Sequence, residues 1–151
     1  MNNSIAIILP TYKNDEETYI RLAINSIHKQ NYKSIKLYIG VDGLIGEKLE
    51  YCLKEYEVKG VKILWFKENR GLACVLNDLI DLAIKDGYEY IARMDADDIS
   101  LPDRLEKQME FLKNNPDIDV VGGAIEEINE KGESRNKVIV YPSGPDACWL
   151  F

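Results

Sequence analysis

The sequence contains a short acidic cluster whose composition suits a divalent cation. Asp95, Asp97 and Asp98 lie within four residues, directly after the apolar-rich run 90–94. Carboxylates this close repel one another unless a cation or hydrogen-bond donors compensate. Mg²⁺ and Mn²⁺ prefer oxygen ligands and commonly bind one or two protein carboxylates together with phosphate oxygens. The cluster therefore predicts a metal that bridges the protein and a diphosphate, although an acidic turn before a helix starting near Ser100 explains the same residues.

Two other polar sites follow predicted strands. Asp42 comes after the run 35–41 and could accept hydrogen bonds from a nucleobase or ribose, or it could form a turn with Gly43. Arg70 and Gly71 lie just ahead of a predicted helix, where an arginine and free backbone N–H groups both favour an anion. The alternative for Arg70 is a solvated loop arginine. Turn residues explain each loop separately, and their occurrence after several strands indicates a ligand site.

Short strands alternate along the chain with the amphipathic helices that must position these residues. Apolar runs predict strands over 5–9, 35–41, 61–66 and 88–94, and helical spacing predicts helices over about 15–30, 45–56 and 72–83. A fourth helix is predicted from a capping box at Ser100 and Asp103 to Asn115-Pro116, with a buried stripe of Leu101, Leu105, Met109 and Leu112. Shorter strands are predicted over 119–123, 124–128 and 137–141, the last two around a turn at 129–133. This alternation predicts an α/β fold with a mainly parallel sheet, in which ligands bind at the carboxyl ends of the strands.

The composition is that of a soluble globular domain and excludes several classes of protein. Of 151 residues, 46% are hydrophobic and 30% are charged, and the formal net charge is −7. Because positive charge is not clustered, nucleic acid is not expected as a partner. Three cysteines without a CxxC pair, and a single histidine, disfavour a disulfide framework and a His/Cys zinc site. No apolar run approaches the ~20 residues of a membrane span and no signal-peptide pattern is present, so we expect a cytoplasmic protein.

Two residues with chemically useful side chains receive a structural interpretation. His28 falls near the end of the first predicted helix, where a cation complements the helix dipole. Cys74 falls on a helix of core character, so we expect a buried and inert thiol there.

An ordered set of motifs resembles the family 2 glycosyltransferases with the GT-A fold. The set comprises Pro10-Thr-Tyr12, Asp42, Asn69-Arg-Gly-Leu72 with Asn77, the segment 94–105 (MDADDISLPDRL) and Val120-Val-Gly-Gly123. The resemblance runs from about Ile5 to Gly123. It implies a Rossmann-like nucleotide-binding sheet with helices on both faces. It also implies transfer of a sugar from a nucleotide-diphosphate sugar to an acceptor, with inversion.

The resemblance assigns a role to each matching residue. Pro10, Thr11 and Tyr12 would line the nucleoside pocket, Asp42 would bind the base, and Arg70 would help hold the nucleotide. Asp95 and Ala96 would face the ribose or the donor sugar, and Asp97 with Asp98 would bind Mg²⁺ or Mn²⁺ on the diphosphate. The acceptor would be a saccharide or a lipid-linked sugar, in surface polysaccharide or glycolipid synthesis. The transfer reaction would take place in the cytoplasm or at the inner face of the membrane. The protein would associate with that membrane peripherally.

The catalytic base that this family needs has no candidate in the sequence. An inverting transfer requires a base that deprotonates the acceptor hydroxyl, and in the resembling family it lies in a later segment. We therefore expect residues 1–151 to form a single donor-binding domain, incomplete at its C-terminus, with the base beyond Phe151. One alternative is a non-catalytic nucleotide-binding or interaction module. A second is a phosphatase of the haloacid dehalogenase type, which also uses an Asp-x-Asp motif after a strand.

Overall fold

The computed structural model describes residues 3–140, and its first compact unit ends at Asp103. The elements of this unit are β1 (Ile5–Tyr12), α1 (Glu17–His28), β2 (Ile35–Asp42), α2 (Glu47–Val58), β3 (Lys62–Trp65), α3 (Leu72–Lys85) and β4 (Tyr90–Arg93). The four strands form one parallel sheet in the order β3-β2-β1-β4. The predicted α/β fold with a mainly parallel, Rossmann-like sheet is therefore confirmed.

The core lies on both faces of β1 and β2, which explains why their sequences are almost entirely apolar. Ala6 and Ile8 pack with the α3 residues Val75 and Leu79 on one face of the sheet. Side chains alternate along a strand, so the buried residues between them face the other side, where α1 and α2 contact each other. α3 approaches β2 closely at Gly40, where a Cβ atom would lie 2.4 Å from Val75 Cγ1. The sheet thus carries helices on both faces.

β1 extends three residues further than the apolar run predicts, and only one of its two neighbouring strands pairs with this extension. β2 stays paired with β1 as far as Tyr12, whereas pairing with β4 ends at Ile8 and Arg93. The last bond on the β4 side runs from Met94 N–H to Ile8 O, at 3.0 Å. In a parallel ladder the next donor would be residue 10, and Pro10 has no N–H. β4 therefore leaves β1 at this proline. The segment 95–99, which we call the acidic loop, starts where the two strands separate.

The second unit begins at Arg104 and contains one helix and a hairpin. Its elements are α4 (Arg104–Asn114), β5 (Ile125–Ile128) and β6 (Ser134–Ile139), and the two strands pair antiparallel. The turn between them is as predicted, with Asn129 N–H bonded to Glu133 O at 2.9 Å. The predicted strand over 137–141 begins earlier, at Ser134, and its last residue lies outside the described part of the chain. Across residues 3–140, no helix combines the length and hydropathy of a membrane span.

Two predictions for this region were wrong. Residues 119–123 form no strand, since two consecutive glycines, Gly122 and Gly123, supply no side chains to pack. The fourth helix starts at Arg104 instead of following a cap at Ser100, and Leu101 is exposed instead of belonging to the buried stripe. Ser100 is instead used in hydrogen bonds with Ser26 on α1 and with Gln30 just beyond that helix.

Candidate functional site

The loops after β1 and β4 form a pocket of about 250 Å³ at the carboxyl edge of the sheet. One wall comes from the loop after β1 and the start of α1, and the other comes from the acidic loop. The lining residues are Tyr12, Asn14, Asp15, Glu16, Tyr19, Ala96 and Asp97. Three of these, Tyr12, Ala96 and Asp97, are site residues predicted from the sequence. The pocket therefore lies where a parallel sheet is expected to bind a ligand.

Asp15 is a site residue that the sequence analysis missed. Its Oδ2 accepts a hydrogen bond from Tyr12 N–H at 2.9 Å, and its own N–H donates to Tyr12 O at 3.1 Å. Burial raises the pKa of the Asp15 carboxyl above its ordinary value; the Tyr12 N–H and the Thr11 hydroxyl oppose this, and the charges of Asp97 and Asp95 add to it. A carboxylate from the β1 loop thus lies in the field of the acidic loop, which makes the pocket wall strongly negative.

The residues before this turn are buried beneath the pocket. Thr11 is only 2% exposed, and its Oγ1 has no partner at normal hydrogen-bond distance within residues 3–140, although it acts electrostatically on Asp15. Pro10 is buried as well. Tyr12 is 41% exposed, so its ring is available to a ligand. Of this predicted trio, Tyr12 is the residue that reaches the pocket surface.

The acidic loop distributes its carboxylates among different environments. Asp95 Oδ1 accepts hydrogen bonds from Arg93 Nη2 at 2.8 Å and Nε at 3.1 Å, so an arginine at the end of β4 offsets part of the crowding. Asp97 is exposed and lines the pocket, whereas Asp98 is exposed but is not among the lining residues. The Asp98 N–H donates to Asp95 O at 3.3 Å and closes the loop. Asp97 is therefore the carboxylate of this cluster that is best placed for a pocket cation.

The side-chain oxygens in the pocket fit a metal that is held partly by the protein and partly by a bound diphosphate. No group of three or more His, Cys, Asp or Glu side chains within the described residues is arranged to hold a metal alone. Mg²⁺ and Mn²⁺ ordinarily need only one or two protein carboxylates when phosphate oxygens complete the shell. Asp97 and the nearby Asp15 provide that number, with Asp95 beside them. The residues present thus fit a metal bound together with a diphosphate.

Asp42 and Arg70 meet in a second cluster along the same edge of the sheet. Asp42 is buried, and its carboxylate accepts hydrogen bonds from Arg70 N–H at 2.7 Å and Gly71 N–H at 3.0 Å. These N–H groups belong to the two residues just before α3, so Asp42, at the end of β2, holds the turn that leads into that helix. Gly43 makes the close approach feasible, because at φ +84° a Cβ atom would lie 2.8 Å from Asn69 N. Each Asp42 oxygen keeps a further lone pair for a ligand.

The Arg70 side chain is held by two neighbours. It forms an ion pair with Asp78 on α3, and its guanidinium lies 4.3 Å from the centre of the Phe66 ring. Arg70 is an exposed loop residue, as the solvated-loop alternative expects, but stacking and pairing restrict its side chain. The structure places Arg70 next to Asp42 and outside the pocket lining.

The two structural interpretations have different outcomes. His28 is the last residue of α1 and its ring lies 6.3 Å from that of Tyr56, which agrees with a structural role. Cys74 is exposed, so the expectation of a buried thiol was wrong. α3 turns its Val75, Leu79 and Ala83 toward the sheet, and Cys74 lies on another side of the helix.

Comparison with known proteins identifies the relatives of this chain. The family model described as glycosyl transferase family 2 matches residues 6–146. An uncharacterized glycosyltransferase of Methanocaldococcus jannaschii is 37% identical over 130 residues, which cover 85% of this chain and 43% of the relative. The O-antigen biosynthesis glycosyltransferase WbnJ of Escherichia coli is 36% identical over 140 residues, covering 92% and 52% respectively. The chain thus spans about half the length of these curated relatives.

A solved structure shares the fold. The mannosyltransferase PcManGT from Pyrobaculum calidifontis, solved in complex with GDP-Man and Mn²⁺, matches with a TM-score of 0.60 at 19% identity. The match covers 83% of this chain and 35% of that protein. At this level of identity the likeness shows the fold alone.

Proposed function

The chain belongs to glycosyl transferase family 2, and from this membership we propose that it transfers a sugar from a nucleotide-diphosphate sugar to an acceptor with inversion. The observation that carries the proposal is the acidic pocket between the loops after β1 and β4. The related fold solved with GDP-Man and Mn²⁺ supports a donor and a metal of these kinds. Membership in this family also leaves the phosphatase alternative without support.

The proposed metal contacts follow from the exposure of the acidic loop. Asp97 would bind Mg²⁺ or Mn²⁺ from the pocket side, with Asp98 as a second ligand if the loop turns on binding. When bound, the metal would neutralise negative charge on the departing diphosphate. Asp95, oriented by Arg93, would accept hydrogen bonds from ribose or donor-sugar hydroxyl groups, beside the small side chain of Ala96.

The proposed nucleoside contacts combine the pocket with the Asp42 cluster. The exposed ring of Tyr12 would pack against the base, above the buried Pro10 and Thr11. Asp42 would accept hydrogen bonds from the base through its remaining lone pairs. Arg70 would add a positive charge near the nucleotide, at the start of α3 where N–H groups favour an anion.

The acceptor and the catalytic base belong to the part of the proposal that rests on family membership. The relative named for O-antigen biosynthesis supports a role in surface polysaccharide synthesis. The acceptor saccharide or lipid-linked sugar and the cytoplasmic side of a membrane rest on the resemblance to the family. An inverting transfer also requires a base that deprotonates the acceptor hydroxyl. Residues 1–151 would then act as the donor-binding part of the reaction.

Calorimetric titration of the 151-residue chain with UDP, GDP, ADP and pyrophosphate, each with Mn²⁺ or with EDTA, tests the proposal. We expect one nucleoside diphosphate to bind with Mn²⁺ more tightly than pyrophosphate does. Asp97→Asn should remove the Mn²⁺-dependent part of the affinity. Asp81→Asn, which changes an exposed carboxylate on α3, is the matched control and should keep it.

Failure of a folded wild-type chain to bind any of these nucleotides would refute the proposed function. Full Mn²⁺-dependent affinity in Asp97→Asn would refute only the assignment of the metal ligand.

A further inference from the structure

A buried glutamine links the end of α1 to the segment that follows the acidic loop. Gln30 is 1% exposed, and its Nε2 donates to Leu101 O at 2.7 Å and to Ser100 Oγ at 3.1 Å. Ser26, on the last turn of α1, accepts from Ser100 N–H through its Oγ at 3.0 Å. These partners are about 70 residues apart along the chain. We call Gln30, Ser26 and Ser100 the polar clamp.

The clamp holds one end of the acidic loop, and the sheet holds the other. Residues 95–99 leave β4 immediately after Met94, whose N–H bonds to Ile8 O at 3.0 Å. They reach Ser100, which is buried in the clamp. A five-residue segment with both ends fixed has few conformations open to it, so its carboxylates are held near one arrangement. The clamp thus acts on the acidic loop without touching its carboxylates.

Helix α1 connects this clamp with the opposite wall of the pocket. Asp15, Glu16 and Tyr19, at the start of α1 and just before it, line the pocket facing Asp97. The clamp residue Ser26 lies on the same helix. α1 thus carries one wall of the pocket and also holds the segment that follows the other wall. Because the helix is rigid, it sets the distance between the two walls.

On the basis of the function proposed above, we propose that Gln30 is a positioning residue for donor binding. With Ser26 and Ser100, it fixes the acidic loop against α1 so that Asp97 meets the metal and the diphosphate. Burying an amide in the core is unfavourable unless its hydrogen bonds are made, and here they are made to the loop's exit segment. Removing a group that hydrogen-bonds to a metal ligand typically lowers metal affinity by about 10–100-fold. Gln30 acts one step further from the metal, through the backbone of the loop, so we expect the lower end of that range.

Two clamp variants and one matched control test this role. Gln30→Met keeps the side-chain volume and removes the donors, and Ser100→Ala removes one acceptor with a smaller disturbance. Tyr38→Phe removes a different hydrogen bond, from Tyr38 Oη to Asp86 at 2.7 Å, at the amino edge of the sheet. We expect both clamp variants to lose about 10-fold or more in Mn²⁺-dependent affinity for the nucleoside diphosphate, with metal-free affinity unchanged. Tyr38→Phe should lower the melting temperature and leave both affinities at the wild-type value.

Hydrogen exchange of the unliganded protein gives a readout that does not depend on binding. Amides 95–99 should exchange faster in both clamp variants than in wild type, and at the wild-type rate in Tyr38→Phe. If Gln30→Met fails to fold, Ser100→Ala decides the question. If Ser100→Ala and any folded Gln30→Met keep the Mn²⁺-dependent affinity and the exchange rates of wild type, the clamp inference is overturned. The proposed function is unaffected by that result. A wild-type chain that binds no nucleoside diphosphate would overturn the proposed function, and with it this inference.

Discussion

Replacing Asp42 with alanine should destabilise the protein before any ligand is considered. The substitution removes the acceptor of two hydrogen bonds, from Arg70 N–H at 2.7 Å and Gly71 N–H at 3.0 Å. A hydrogen bond to a charged group contributes about 1.5–3 kcal/mol, so two of them would contribute about 3–6 kcal/mol. Because Arg70 is exposed and Gly71 half-buried, water replaces part of the loss. We therefore expect a cost of about 2 kcal/mol, below that summed range.

For a chain of this length, that cost corresponds to a fall of about 4–8 °C in melting temperature. Thermal unfolding of the unliganded protein by circular dichroism measures it directly. Asp42→Asn keeps one oxygen acceptor and should lose about half as much. Asp81→Ala, an exposed carboxylate on α3, should melt within about 1 °C of wild type, because surface changes are usually small. If Asp42→Ala melted at the same temperature as Asp81→Ala, the argument that Asp42 holds the turn before α3 would be wrong, and Asp42 would act on ligands alone.

Two further substitutions test the electrostatics and the close packing of the site. Asp15→Asn should raise the melting temperature at neutral pH, because the raised pKa of this carboxyl means that folding disfavours its charged form. The gain in melting temperature should vanish as the pH falls below about 4, because wild-type Asp15 is then protonated in the folded and the unfolded state. A gain that grew toward low pH would contradict this sign. Gly43→Ala should cost about 1–3 kcal/mol in denaturant unfolding, since its Cβ would lie 2.8 Å from Asn69 N at φ +84°, whereas Gly46→Ala, which has open space, is the control. Equal unfolding midpoints for the two glycine variants would show that Asn69 and its loop move aside freely.

The strands of the sheet could be predicted because their signal is local. The run Ile5–Leu9 is apolar at every position, and a strand buried on both faces requires that pattern. Its continuation through Pro10 could not be predicted in the same way, because proline ordinarily interrupts a ladder. It is tolerated here because β4 has ended on one side while β2 continues on the other. That condition depends on neighbouring strands, and no local pattern records it.

The site was predicted in its parts but not in its assembly. The acidic loop and Asp42 could be found because carboxylates after strands are visible in the sequence. Asp15 was missed because a lone acidic residue before a helix is common, and its raised pKa arises from burial in the folded protein, with a smaller contribution from the charges of Asp97 and Asp95. The link between Asp42 and the turn before α3 was missed for a similar reason. The local sequence Asp42-Gly43 does not show that this carboxylate accepts hydrogen bonds from Arg70 and Gly71, much further along the chain.

The charges of the pocket explain why its carboxylates are not equivalent. Arg93 offsets part of the charge of Asp95 through two hydrogen bonds. Asp15 is partly buried and in the field of both loop carboxylates, which is unfavourable in the absence of a cation. Asp97 is exposed and faces Asp15 across the pocket. A divalent cation between these walls would relieve the repulsion among their carboxylates. The pocket should therefore select a ligand that binds together with a metal.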